Sequence, residues 1–185
     1  MGKLSITRRI TLYGMLTALY VVLSFVSIPL PGINGKIAFS GLPVIFAATS
    51  LGLFDGLAVA LLGSFLMQVM QYGIQVTTVI WLIPPLVRAL VIGIASEIFK
   101  AKKDKLSNHK IIYFITSLLA GLLVTSANTL AIWLDGIILG YDSSIIFLST
   151  VFRFVTSLIT TVVLTLICYP ICRQIEKGFL DPNTS

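Results

Sequence analysis

The sequence predicts an all-α membrane protein of six transmembrane helices, built as a single integral membrane domain over residues 1–185. Of the 185 residues, 57% are hydrophobic and only 11% are charged, against about 25% charged in an average soluble domain. The mean hydropathy is +1.02. The apolar residues fall into runs long enough to cross a bilayer, and six spans of roughly 20 residues use most of the chain.

The first span runs from about Ile10 to Ile28 and stops at Pro29-Leu30-Pro31-Gly32, since proline and glycine punctuate helices. It follows Lys3, Arg8 and Arg9, as a signal peptide would. It is too long for the apolar core of such a peptide and lacks a small-residue cleavage site, so it reads as a retained helix. The second span covers about Ile37 to Leu53, is short, and is expected to be broken by Pro43 near its start. The third follows Gly52-Leu53-Phe54-Asp55-Gly56 and reaches about Tyr72. The fourth covers Thr77 to Phe99, the fifth Ile111 to Leu134, and the sixth Ile145 to Cys172. Cys168 and Cys172 stand one helical turn apart and read as small apolar packing residues.

Charge placement orients these spans. With the N-terminus inside, the cytoplasmic side collects Lys3, Arg8, Arg9, Lys100, Lys102, Lys103, Lys105, Lys110, Arg173 and Lys177, ten of the thirteen basic residues. The opposite side holds Lys36 with Asp135 and Asp142. Such a bias follows the positive-inside rule, so both termini are expected in the cytoplasm. The net charge of +6 therefore reflects topology. No basic face interleaved with aromatics points to nucleic acid.

Ionisable residues inside a membrane mark function, because an arginine near a span centre costs about 2.5–3.5 kcal/mol on insertion scales. Arg88 lies in the middle of span four. Arg153 lies eight residues into span six, about 12 Å deep at 1.5 Å per residue. Asn128 in span five comes to a similar depth, so the two are expected to share a cavity open to the outside. An arginine fork suits a carboxylate or phosphate, although either arginine can instead snorkel or meet a partner subunit. Gln68, Gln71, Tyr72, Gln75, Thr77, Thr78 and Trp81 cluster at the outer end of spans three and four. They read either as a hydrogen-bonding lining for a small polar ligand or as an interfacial belt. The outer loop from Pro31 to Ser40, with Asn34, Lys36, Phe39 and Ser40, is a candidate lid. Gly14 and Ala18 stand four apart on span one with Thr11 a turn away, a small-residue face that admits a close helix neighbour.

Several chemistries lack their residues. No G-x-x-x-x-G-K-[ST] run exists for ATP hydrolysis. His109 is the lone histidine and falls in the cytoplasmic loop; Glu97 is the single carboxylate within a span, near its inner end. No nucleophile–base pair, metal cluster or cofactor motif assembles, so the chain does not read as an enzyme.

Taken together, these features resemble the substrate-binding S component of an energy-coupling factor vitamin transporter. The likeness rests on length, six spans and ordered landmarks. Gly14-x-x-x-Ala18 and the following Leu19-Tyr-Val-Val-Leu-Ser24 are similar to the family's first helix. Lys36 to Pro43 is similar to its entry into helix two, and Gly52-Leu-Phe-Asp-Gly56 to its Gly-Pro-x-x-Gly turn, with Leu53 in place of the proline. The resemblance implies a non-enzymatic, cofactor-free protein of the bacterial cytoplasmic membrane. It further implies a vitamin ligand bound near the outer surface, and association with a transmembrane coupling subunit and two ATPase subunits. Gly14, Ala18 and Thr11 would then face the coupling subunit. The run from Gln71 to Pro84, with Tyr72-Gly73, Thr77-Thr78 and Trp81, resembles pantothenate S components most. Folate, which also brings carboxylates, stays open. So does riboflavin, because Phe39 to Pro43 resembles its S component without the acidic residue expected before Ser40. A self-sufficient oligomeric carrier is the alternative outside the family.

Overall fold

A computed structural model describes residues 6–29, 36–102, 104–140 and 143–178. Within these the chain forms α1 (Ile6–Phe25), a two-stranded antiparallel hairpin of β1 (Ser27–Pro29) and β2 (Lys36–Ala38), α2 (Gly41–Phe46), α3 (Leu53–Tyr72), α4 (Ile83–Ala101), α5 (Lys110–Leu139) and α6 (Ser143–Gly178). The hairpin pairs Ser27 with Ala38 and Pro29 with Lys36.

Five of the described helices are long and apolar enough to cross a bilayer: Ile6–Phe25, Leu53–Tyr72, Ile80–Ala101, Lys110–Leu139 and, within α6, Phe152–Ile175. Their outward faces carry Leu19, Leu61, Leu62, Phe65, Leu66, Leu119, Leu122, Leu123 and Val162, all well exposed, as lipid contact requires. The second expected span is different. Helix α2 passes into a π-helical turn, Ala47–Leu51, and together Gly41–Leu51 make a short apolar helix. Eleven residues reach about 16 Å at 1.5 Å each, half of a 30 Å hydrocarbon core. Pro43 does not break it: it falls in the first turn, where the N–H that proline lacks has no intrahelical partner anyway.

This short helix is the centre of the bundle. Gly41, Pro43, Val44, Ile45, Ala47, Ala48, Thr49 and Ser50 are buried. Ile45 and Ala48 join Ile92, Tyr113, Ala120, Leu164, Cys168 and Cys172 in one core cluster; Val44 joins Tyr20, Ala60 and Ala89 in a second; Ala47 joins Leu16 and Val59 in a third. The two cysteines are free, with Sγ atoms 3.6 Å apart. Gly56 lets α3 approach this core: a Cβ there would come 2.7 Å from Ala48 Cβ. Gly52 ends the π turn at φ 131°, a conformation left to glycine.

The two ends of the bundle differ. At the end holding the starts of α1 and α3, Arg9 Nη2 donates to Asp55 Oδ1 and Oδ2 at 2.7 and 2.9 Å, and Tyr13 also bonds Asp55. Lys100 Nζ donates there to the Leu51 carbonyl at 3.0 Å. Arg9, expected only to orient the chain, therefore also ties α1 to α3. The loop after α4 folds on Asp104, which accepts from Lys105 N–H and Asn108 Nδ2 and pairs with His109 Nε2 at 2.6 Å. At the opposite, hairpin end the half-length α2 leaves space.

Candidate functional site

That space is a cavity of about 710 Å³, within the range of small-molecule sites. Its floor is the start of α2: Ser40, Gly41 and Val44 line it, with Arg88 from α4 beside them. One wall comes from α1 through Tyr20 and Ser24, and another from the last turns of α3 through Met67, Gln68, Gln71 and Tyr72. Gln75, Trp81, Pro84 and Pro85 continue it, and α5 and α6 supply Thr125, Asn128, Asp135, Arg153, Thr156, Ser157 and Thr160.

Local sequence explains each placement. Tyr20 and Ser24 follow Leu16 at intervals of four, so α1 turns this stripe inward while Thr11, Gly14 and Ala18 stay exposed on another face. Arg88 can lie against α2 only because residue 41 is glycine. A Cβ there would overlap Arg88 Nη1 and stand 3.0 Å from its Cζ and 2.9 Å from Leu164 Cδ1. Helices α5 and α6 are fixed in register by small residues. Thr125 Oγ1 bonds Ser157 Oγ, Ser157 Oγ donates to the Gly121 carbonyl at 3.2 Å, and Thr161 packs on Gly121, where a Cβ would overlap Thr161 Oγ1 and stand 3.0 Å from its Cβ. This register sets Asn128 and Arg153 at nearly the same level, and both line the cavity.

The electrostatics are unbalanced. Arg88 has no hydrogen bond or ion pair among the described residues. The positive pole of α2 beside it adds to its charge rather than offsetting it. Arg153 Nη1 is enclosed with no hydrogen-bond partner, and so is Asp135 Oδ1. An enclosed charged group left unpaired costs more than the ~1–3 kcal/mol of a neutral one. Two arginines and one aspartate leave the described lining with one net positive charge.

Of the residues expected from sequence, Arg88, Arg153, Asn128, Gln68, Gln71, Tyr72 and Trp81 come together around the cavity. Thr77 and Thr78 do not line it. Both are buried in the turn before α4, where Thr78 Oγ1 accepts from Gln75 N–H at 2.9 Å and the Thr77 carbonyl accepts from Ile80 N–H at 3.0 Å. Phe39 packs against the core cluster beside α2. Lys36 belongs to β2 by its backbone, and Asn34 lies outside the described residues. Sequence reasoning missed Tyr20, Ser24, Gly41, Pro84, Pro85, Asp135, Thr125, Thr156, Ser157 and Thr160. The four-residue stripe on α1 could have pointed to the first two; Asp135 was read as loop because the fifth span was ended at Leu134, whereas α5 continues to Leu139.

A helical membrane bundle whose half-length central helix floors a polar, cationic cavity is a ligand-binding membrane protein. A family model described as "ECF transporter, substrate-specific component" matches residues 8–172, and the chain belongs to that family. It is thus a substrate-binding component of a transporter rather than an enzyme. Two solved structures share the fold. One, described as the S component of a bacterial ECF transporter, is 16% identical with a TM-score of 0.61, over 92% of this chain and 98% of that one. The other, an S component for biotin from an ECF-type ABC transporter, is 14% identical with a TM-score of 0.61, over 94% and 95%. No curated protein matches.

Proposed function

We propose that the protein binds pantothenate, from outside a bacterial cytoplasmic membrane, as the high-affinity subunit of an importer completed by a transmembrane coupling subunit and two ATPases. The observation that carries the ligand reading is the pair of arginines, Arg88 and Arg153, which line the cavity with no carboxylate of the described residues paired to either. A ligand carboxylate supplies the missing acceptor through charge-assisted hydrogen bonds. One net positive charge suits a monocarboxylate with an otherwise neutral body. Folate brings two carboxylates and riboflavin none, so pantothenate is favoured over both. Gln68, Gln71, Asn128 and Ser157 line the same cavity and offer hydrogen-bonding groups to its amide and hydroxyls, and Thr77 and Thr78 support them by holding the turn that carries Trp81.

With both termini inside, as the charge bias argues, the hairpin end faces outward and the cavity opens there. Lys36, whose backbone belongs to β2, is then at the outward end. The exposed face of Thr11, Gly14 and Ala18, where a Cβ on Gly14 would meet nothing within 4 Å, is left for the coupling subunit.

Mass spectrometry of small molecules released from the detergent-purified protein tests the ligand; recovery of a flavin or a pterin instead of pantothenate would overturn it. Arg153→Ala is expected to weaken pantothenate binding about 10- to 100-fold, as loss of a charge-assisted bond of ~1.5–3 kcal/mol requires. Ala18→Trp is expected to abolish uptake by the assembled importer while leaving binding intact, and equal loss of both would refute the docking face.

A further inference from the structure

We infer that Asp135 is the specificity-determining residue of this cavity, accepting a hydrogen bond from a hydroxyl at the end of the ligand remote from its carboxylate. The inference rests on the pantothenate reading and deepens it. Asp135 is the only carboxylate lining the cavity among the described residues, and its Oδ1 is enclosed without a partner. It makes no ion pair with Arg88 or Arg153, although all three line one space.

The helix register gives the spacing. Thr125 bonds Ser157, and Gly121 faces Thr161, so Arg153 lies level with residue 129 of α5. Asp135 is six residues further out, about 9 Å along the axis at 1.5 Å per residue. An extended pantothenate places its carboxylate and its terminal hydroxyl about that far apart, by the reach of a chain of nine or so bonded atoms. With the carboxylate on Arg153, the terminal hydroxyl arrives at Asp135. The second arginine, Arg88, lies deeper, beside Gly41 and Leu164, and sets the electrostatic floor. A site that holds an unpaired acceptor rejects a ligand lacking the matching donor far more strongly than a purely apolar pocket rejects a missing methylene.

The test compares pantothenate with its analogue in which the terminal hydroxyl is replaced by hydrogen, by calorimetric titration of the purified full chain. Wild type is expected to bind the deoxy analogue about 10- to 100-fold more weakly. Asp135→Leu is expected to bind the two within about threefold of each other, and Asp135→Asn, which keeps one acceptor oxygen, to restore part of the preference. An undiminished preference in both variants, or none in wild type, would overturn the assignment of Asp135 alone. Failure of wild type to bind either compound would overturn the pantothenate reading and this assignment with it. Should Asp135→Leu not fold, the Asp135→Asn arm decides: an unchanged preference there refutes the role of the charge.

Discussion

Gly41→Ala is the substitution through which the floor of the cavity can be tested most sharply. The new Cβ would overlap Arg88 Nη1 and stand 3.0 Å from Cζ. To regain an ordinary contact of 3.5–4.0 Å, the guanidinium must retreat by about 2 Å. The fold is expected to tolerate this, because the displaced atoms end a flexible side chain and alanine is favoured over glycine in a helix by about 1 kcal/mol. The ligand is expected not to tolerate it. A guanidinium pushed off Gly41 moves into space that the ligand body fills, overpacking of this kind costs about 1–3 kcal/mol, and each 1.4 kcal/mol is tenfold in affinity. Pantothenate binding, measured calorimetrically in detergent, should weaken about 5- to 150-fold with the thermal midpoint little changed. In an Arg88→Met background the same change should add almost nothing, since the group it displaces has gone. Full affinity in Gly41→Ala, or an equal loss in both backgrounds, would refute the reasoning.

Two other predictions concern the opposite end. Asp55→Ala removes the acceptor shared by Arg9 and Tyr13 from a site where Asp55 is buried and Arg9 half exposed. It should cost ~1–3 kcal/mol, a fall of about 2–10 °C in the thermal midpoint, without changing ligand affinity. Asp104 accepts from Asn108, interacts with His109 and accepts from the Lys105 N–H, and these bonds hold its carboxyl at a pKa of about 2, below the ordinary 3.8. A depressed folded-state pKa gives stability that is present above the unfolded value and is lost as pH falls through the folded one. Its contribution should be constant from neutral pH down to about 5 and vanish between about 4 and 2, and Asp104→Ala should remove that part of the acid dependence of the thermal midpoint.

The long helices were legible because lipid demands unbroken apolar runs: α1 and α3 follow their runs within a few residues, while α4 begins at Ile83, six residues after the expected start at Thr77. Legibility failed where polar residues stay helical. Helix α5 carries Asp135 past the end of its apolar run because that side chain faces a cavity rather than lipid. The converse failure was α2: its composition is as apolar as a span, yet it is half a span long, and hydropathy does not distinguish burial in protein from burial in lipid. The arginines and amides of the site stood out because each is expensive in a membrane. Gly41, Ser157 and Thr125 did not, since a glycine or a hydroxyl is unremarkable in any transmembrane helix, and only their contacts with Arg88 and Gly121 reveal what they do.

The central claim is that the arginines of the cavity, unpaired among the described residues, are there for a ligand carboxylate held by Arg153 and drawn in by the charge of Arg88. The direct measurement is calorimetric titration of the wild-type protein with pantothenate and with panthenol, which differs by an alcohol in place of the carboxylate. The account predicts tight binding of pantothenate and affinity for panthenol lower by at least about 100-fold, since the charge-assisted contact with Arg153 and the attraction of Arg88 are lost together. Comparable affinity for the two compounds would contradict it.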